Sequence, residues 1–123
     1  MSYHIKLDGC FKPYVRMTQR GKFVRPEAQA YLASKDALRL QLNQQMVDRP
    51  MLPVSTPLSV LILIAHDHKF HRRDLDNEVK ALLDAMQDIV YKNDCWIDDI
   101  RASRTIGASC VVHVFVEVKE SGR

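Results

Sequence analysis

The sequence predicts an α+β fold, in which a small mixed β-sheet is packed against two main helices. Three segments support this prediction. Residues 27–46 contain no Gly or Pro and are rich in Ala, Leu and Gln, which predicts a first helix. Residues 59–65 form a compact β-branched and aliphatic run, which predicts a buried central strand. Residues 74–89 contain apolar side chains at helical spacing, which predicts a second helix packed on the sheet.

Length and composition indicate a single domain that spans residues 1–123. The chain has 46% hydrophobic and 27% charged residues, which is typical of a globular protein and excludes a disordered one. The longest apolar run, residues 60–65, is far too short to cross a bilayer, so no membrane partner is expected. No secretion signal is recognisable, and the cysteines Cys10, Cys95 and Cys110 form an odd set without close pairing. We therefore expect free thiols and a cytoplasmic location.

The first half of the chain predicts one strand, a loop and a helix. Alternation over residues 3–7 predicts the strand, and residues 9–21 follow as a loop-like segment. Pro26 suits the first turn of the helix, because its missing N–H is not needed there. One stripe of this helix is expected to face the core, and it consists of Tyr31, Leu38, Leu42 and Met46.

The second half predicts a connection, the central strand, the second helix and two further strands. Three prolines within residues 50–57 mark the connection, and residues 66–73 form a polar loop between the central strand and the second helix. Residues 96–106 and 109–118 are predicted to be strands, the latter with alternating valines. Because these two segments are joined around Gly107, we expect an antiparallel hairpin.

Closely spaced carboxylates stand at the predicted start of the second helix. Asp74 and Asp76 flank Leu75, Lys80 follows one turn beyond Asp76, and Asp94 comes after the helix. Hard carboxylate oxygens suit Mg²⁺, which keeps several waters and binds through few protein ligands plus substrate phosphates. A helix N-cap would explain one aspartate, but not the second one together with Lys80 and Asp94. The pattern therefore predicts a magnesium site for phosphodiester cleavage.

Basic residues are distributed unevenly, although the net charge is only +3. No acidic residue occurs between Asp8 and Glu27, a stretch that contains five basic residues. The residues predicted to contact DNA are Arg16, Arg20, Lys22, Arg25, Lys69, Arg72 and Arg73. Contacts of this kind with phosphates would position DNA without reading its sequence. The alternative is a solvated basic surface with no partner.

Residues 73–97 contain an ordered set of motifs that is far more specific than any one of them. The set consists of Arg73-Asp74-Leu75-Asp76-Asn77, Lys80, Leu83-Asp84-Ala85, Tyr91-Lys92-Asn93-Asp94 and Ile97. It resembles the RusA family of Holliday-junction endonucleases, and a thinner similarity extends over residues 13–31. The resemblance implies a small homodimeric, magnesium-dependent nuclease of DNA recombination and repair, which introduces paired nicks in four-way DNA junctions. It also implies that Asp74, Asp76 and Asp94 are metal ligands and that Lys80 lies near the active site.

Two departures from the family pattern lie beside Asp94. Asn93 occupies a position where some relatives have an acid, so any fourth carboxylate must come from elsewhere, and Asp98 or Asp99 could supply it. The Cys95-Trp96 pair replaces small or polar residues and leaves the local loop geometry open.

A zinc site is a separate alternative. His66, His68 and His71 could combine with Cys95, but their spacing matches no strong zinc pattern. We therefore favour histidines that lie on the surface or contact phosphate.

Three functions are compatible with these residues. The first is a junction-resolving endonuclease that works as a two-fold dimer, because two symmetric cuts need two sites. The second is a less selective metal-dependent DNA nuclease that uses the same aspartates. The third is a junction-binding protein that has lost catalysis.

Overall fold

The order of elements follows the predicted order closely. The computed structural model describes residues 1–14 and 26–119. Its elements are β1 (Ser2–Asp8), α1 (Pro26–Gln45), β2 (Leu58–His66), α2 (Leu75–Met86), a 3₁₀ turn (Asp94–Trp96), β3 (Ile97–Ile106) and β4 (Val111–Val118). A four-stranded mixed sheet with two helices confirms the α+β prediction.

The strand order in the sheet is β1-β4-β2-β3. Strand β4 is antiparallel to β1 and β2, whereas β3 is parallel to β2. The predicted hairpin between the last two strands is therefore wrong, because β2 lies between them. Helix α2 returns the chain to the end of the sheet where β2 began, so that Ile97 pairs with Leu58 and the two strands run in parallel. The N–H of Gly107 then donates a hydrogen bond to the carbonyl of His66 at 2.6 Å, where the chain crosses the end of β2.

The core lies between one face of the sheet and the two helices. Side chains alternate across a strand, and Val60, Ile62 and Ile64 of β2 are all buried on this face. The predicted stripe of α1 is confirmed, since Tyr31, Leu38, Leu42 and Met46 are all buried. Each fully buried side chain of this size stabilises the fold by roughly 1.5–3 kcal/mol. The opposite face is more open, with Leu61 at 37% exposure and Phe115 at 39%.

The prediction of three free thiols is wrong for two of the cysteines. Cys10 and Cys110 form a disulfide although they are 100 residues apart in sequence. Pairing of β1 with β4 brings them together, since the N–H of Gly9 donates to the carbonyl of Cys110 at 3.1 Å. A count of cysteines could not reveal this, because it depends on which strands are neighbours. Cys95 is free and exposed, as expected.

Among the described residues, no helix combines the length and the apolar character needed to cross a membrane.

Candidate functional site

The N-terminal end of α2 presents two of the predicted aspartates to solvent. Asp74 occupies the N-cap position with extended backbone angles, but its side chain makes no capping hydrogen bond. Asp76 lies in the first turn, and both residues are exposed. Negative charge is favoured at this end of a helix. The capping alternative therefore does not account for the Asp74 side chain, whose carboxylate stays available for a ligand.

Asp94 lies at the other end of α2. Its backbone N–H is 3.4 Å from the side-chain oxygen of Gln87, which is the C-cap residue of α2. A helix of this length extends over about 18 Å, so one protomer does not bring Asp94 beside Asp74 and Asp76. Residues 1–14 and 26–119 contain one group of three possible ligands within 4.8 Å of one another, formed by Cys10, Asp67 and Cys110. Its two sulfur atoms belong to the disulfide.

Asn93, one of the departures beside Asp94, has a clear structural role. The side chain of Asn93 accepts a hydrogen bond from the N–H of Cys95 at 2.9 Å and so caps the 3₁₀ turn. The hydroxyl of Ser59 lies 3.5 Å from Asp99 on the open face of the sheet, which is the face opposite α2. Asp99 is thereby separated from the aspartates of α2 by the sheet, and Asp98 is exposed at the start of β3.

Lys80 faces the segment that precedes α1. Its ammonium lies 5.5 Å from the ring centroid of Tyr14, and the N–H of Tyr14 donates to the carbonyl of Asn77 at 3.0 Å. Among the described residues Lys80 forms no ion pair, so it makes no salt bridge to Asp76 or Asp84. Tyr14 is thus held against the first turn of α2.

Asp84 has other partners. It accepts a hydrogen bond from the hydroxyl of Tyr31 at 2.6 Å and pairs with the ammonium of Lys35 at 2.9 Å. Partial burial alone would raise the pKa of Asp84, but the hydrogen bonds from Tyr31 and Lys35 and the positive charge of Lys35 hold it below its usual value. Asp84 therefore links the two helices.

A cleft rich in arginine adjoins Asp74. It has a volume of about 360 Å³ and is lined by Arg72, Arg73, Asp74, Leu75 and Arg104. Lys69 and Arg72 are exposed in the loop before α2, and Arg73 is partly buried. Arg16, Arg20, Lys22 and Arg25, the other predicted DNA contacts, lie outside the described residues. Arg104, which comes from β3, was not among the predicted DNA contacts.

Beneath the cleft lies a buried ionic cluster that the sequence analysis missed. Glu78 of α2 is fully buried and contacts His66, Arg73 and Arg104. The expectation of a surface histidine is wrong for His66, which is the last residue of β2 and is 2% exposed. A signal was present, because Glu78 stands three and four residues before the core residues Ala81 and Leu82. A glutamate on the apolar face of a helix requires buried partners.

The zinc alternative receives no support from the described residues. Cys95 lies beside Asp94 at the C-terminal end of α2, whereas His66 lies near its N-terminal end. His68 and His71 are exposed, and neither belongs to a group of possible metal ligands in the described part of the chain.

Comparison with known proteins identifies one family. The family model described as Endodeoxyribonuclease RusA matches residues 11–119, which is most of the chain. The resemblance predicted from residues 73–97 is thereby confirmed. No curated protein gives a significant match.

Proposed function

Because the chain belongs to the RusA family of endodeoxyribonucleases, we propose that it is a magnesium-dependent endonuclease that resolves Holliday junctions by paired symmetric nicks. One observation carries this proposal beyond the family. The exposed carboxylate of Asp74, which makes no capping bond, lines a cleft together with three arginines, and the exposed carboxylate of Asp76 follows two residues later at the start of α2. Carboxylates that can hold a hard cation beside cations that can hold phosphate are what phosphodiester hydrolysis requires.

The donors at the start of α2 fit Mg²⁺. Asp74 and Asp76 offer hard oxygen atoms, and Mg²⁺ commonly uses one or two carboxylates and completes its shell with water and substrate phosphate. When bound there, the ion would polarise the scissile phosphate and lower the pKa of an attacking water. Asp74 and Asp76 hold the ion in this proposal, and their negative charge is partly offset by the helix end.

The positive side chains hold the DNA. Lys69, Arg72 and Arg73 flank the aspartates and bind phosphates next to the scissile bond, while Lys80 offsets charge that develops on the phosphate. Arg16, Arg20, Lys22 and Arg25 extend this surface along the DNA. The bond between Tyr14 and Asn77 supports their role, because the basic segment starts directly beside the first turn of α2.

A homodimer completes the site in this proposal. Asp94 is about one helix length from Asp74 within a protomer, so it can share an ion with Asp74 and Asp76 only if a second copy supplies it. A two-fold arrangement would supply it twice and would create two equivalent sites, as paired nicks demand. The proposed substrate arises in DNA recombination and repair, which would place the protein in the cytoplasm.

The decisive experiment compares magnesium-dependent cleavage of a labelled four-way junction with that of linear duplex and flap DNA. The native chain and the Asp76→Asn variant are assayed together, and the nicks are mapped. We expect the native chain to make symmetric nicks and the variant to make none. The unfolding temperature and the junction affinity of the variant should stay at the native values. Asp76→Asn removes a ligand charge with little change in volume, so loss of binding in proportion to unfolding would make Asp76 a structural residue instead.

The same assay separates two other functions. Equal cutting of all three substrates would indicate a general metal-dependent nuclease. Junction binding by the native chain without any cutting would indicate a non-catalytic junction-binding protein, for which the replacement of an acid by Asn93 beside Asp94 is the observation in favour.

A further inference from the structure

We propose that Glu78 is a positioning residue, which holds Arg73 and Arg104 in the cleft beside Asp74 so that both guanidinium groups bind a DNA phosphate. This inference rests on the proposed function and adds to it two residues, Glu78 and Arg104, that were not among the predicted ones. The carboxylate of Glu78 is fully buried. A buried charge is retained only where partners compensate the loss of water.

The carboxylate of Glu78 has a partner on each side. One oxygen accepts from Nη1 of Arg104 at 2.8 Å. The other oxygen lies 2.6 Å from Nε2 of His66 and accepts from Nε of Arg73 at 3.1 Å. The three partners come from β2, from the loop before α2 and from β3, so a single side chain fixes three segments around the start of α2.

Further hydrogen bonds connect this cluster with the backbone of the site. Nη1 of Arg104 also donates to the carbonyl of Arg73 at 2.7 Å, directly before Asp74. Nη2 of Arg73 donates to the carbonyl of Phe11 at 2.7 Å. The position of Asp74, a proposed metal ligand, therefore depends on the positions of the guanidinium groups of Arg73 and Arg104, and the reverse is also true.

Phe70 restrains the same groups from the loop. Its ring stacks on His66 with 3.9 Å between centroids and an angle of 5° between the planes. The guanidinium carbons of Arg73 and Arg104 lie 5.3 Å and 5.2 Å from the Phe70 centroid. Cation–π contacts of this kind add to the orientation of both arginines.

The charges in the cluster favour an anionic ligand. Two guanidinium groups face the one carboxylate of Glu78, so these three side chains keep a surplus positive charge, while Arg72 and Asp74 offset each other at the cleft. Nε and Nη2 of Arg104 make no hydrogen bond to any residue that the structure describes, although each guanidinium has five donors. A planar fork that is already oriented suits the two oxygens of a phosphate.

The test uses Glu78→Gln, Arg104→Gln and their double variant, with Glu117→Gln as a control. Glu117 is exposed on β4, so its substitution changes the charge equally but touches no residue of the cluster. Nicking of the four-way junction is measured at a temperature where circular dichroism shows every variant folded. We expect kcat to fall on the order of 10- to 100-fold for Glu78→Gln and for Arg104→Gln, because small displacements of positioned groups are costly.

The double variant distinguishes positioning from a separate contribution. If Glu78 acts through Arg73 and Arg104, the double variant loses clearly less activity than the product of the two single losses, because the part of the Glu78 effect that depends on Arg104 is already absent in Arg104→Gln. Native kcat in a folded Glu78→Gln chain, or losses that multiply in the double variant, would overturn the inference. Should Glu78→Gln not fold, Arg104→Gln must still lower kcat while the Glu117→Gln control keeps native activity.

DNA binding tests the inference without cleavage. The salt dependence of junction affinity is measured with Ca²⁺ in place of Mg²⁺. The affinity falls as salt rises, and we expect this slope of log affinity against log salt to become shallower by about one for both Glu78→Gln and Arg104→Gln, since one phosphate contact is lost. Slopes equal to that of the native chain would overturn the inference. A native chain that binds but never cuts would refute the proposed nuclease, while these slopes would still decide the role of Glu78.

Discussion

Asp74 and Asp94 show what single residues reveal in a sequence and what they do not. The position of Asp74 and Asp76 at the start of α2 was predicted, because helix starts have a recognisable pattern. The position of Asp94 at the far end of α2 was also implied by the length of the predicted helix, but the family pattern groups all three aspartates without regard to distance. Glu78 was missed because a glutamate is ordinarily placed on the solvent side of a helix.

The lowered pKa of Asp84 leads to a prediction of how stability depends on pH. Its pKa is lowered in the folded chain from an ordinary value of 3.8, so its contribution to stability is complete above that value and is lost as pH falls through the lower folded value. The Asp84→Asn variant should therefore be less stable than the native chain at pH 7, and the difference should be smaller at about pH 3, below the ordinary pKa of an aspartate. Urea unfolding at both pH values measures this. A difference in unfolding free energy that stays constant between them would contradict the assignment.

Among the elements, the unit β2-α2-β3 determines the geometry of the site. The sequence predicted each of these elements within a few residues, since apolar periodicity reports the local structure. It did not predict the strand neighbours, because the valines of β4 pack equally well beside β3 or beside β2. The turn at Gly107 suggested a hairpin, whereas the helix between β2 and β3 makes those two strands parallel neighbours.

Packing of α2 on the sheet should account for much of the stability of this unit. Leu82 is fully buried, so Leu82→Ala should lower the free energy of unfolding by about 2–5 kcal/mol through lost burial and a residual cavity. Leu61→Ala is the matched control, because Leu61 is 37% exposed on the open face and should cost about 1 kcal/mol or less. Chemical denaturation compares the two. Similar losses for both would show that the open face is covered in solution.

For the whole molecule, the distance between the two ends of α2 makes the proposed dimer testable. Asp76→Asn and Asp94→Asn should each be inactive alone. If each site combines the aspartates of α2 from one copy with Asp94 from the other, a mixed dimer of the two variants keeps one intact site. Mixing the unfolded variants and refolding them together should restore single nicks in four-way junctions. Absence of any restored nicking in proven mixed dimers would show that the two copies do not share Asp94 in this way.

The bond between Cys10 and Cys110 turns most of the chain into a closed covalent loop. Four methionines lie inside this loop, namely Met17, Met46, Met51 and Met86. Chemical cleavage after methionine would release the peptides between them, but residues 2–17 and 87–123 would remain one species until a reductant separated them. The two ends of the polypeptide, which carry β1 and β4, are thus one unit covalently as well as in the sheet.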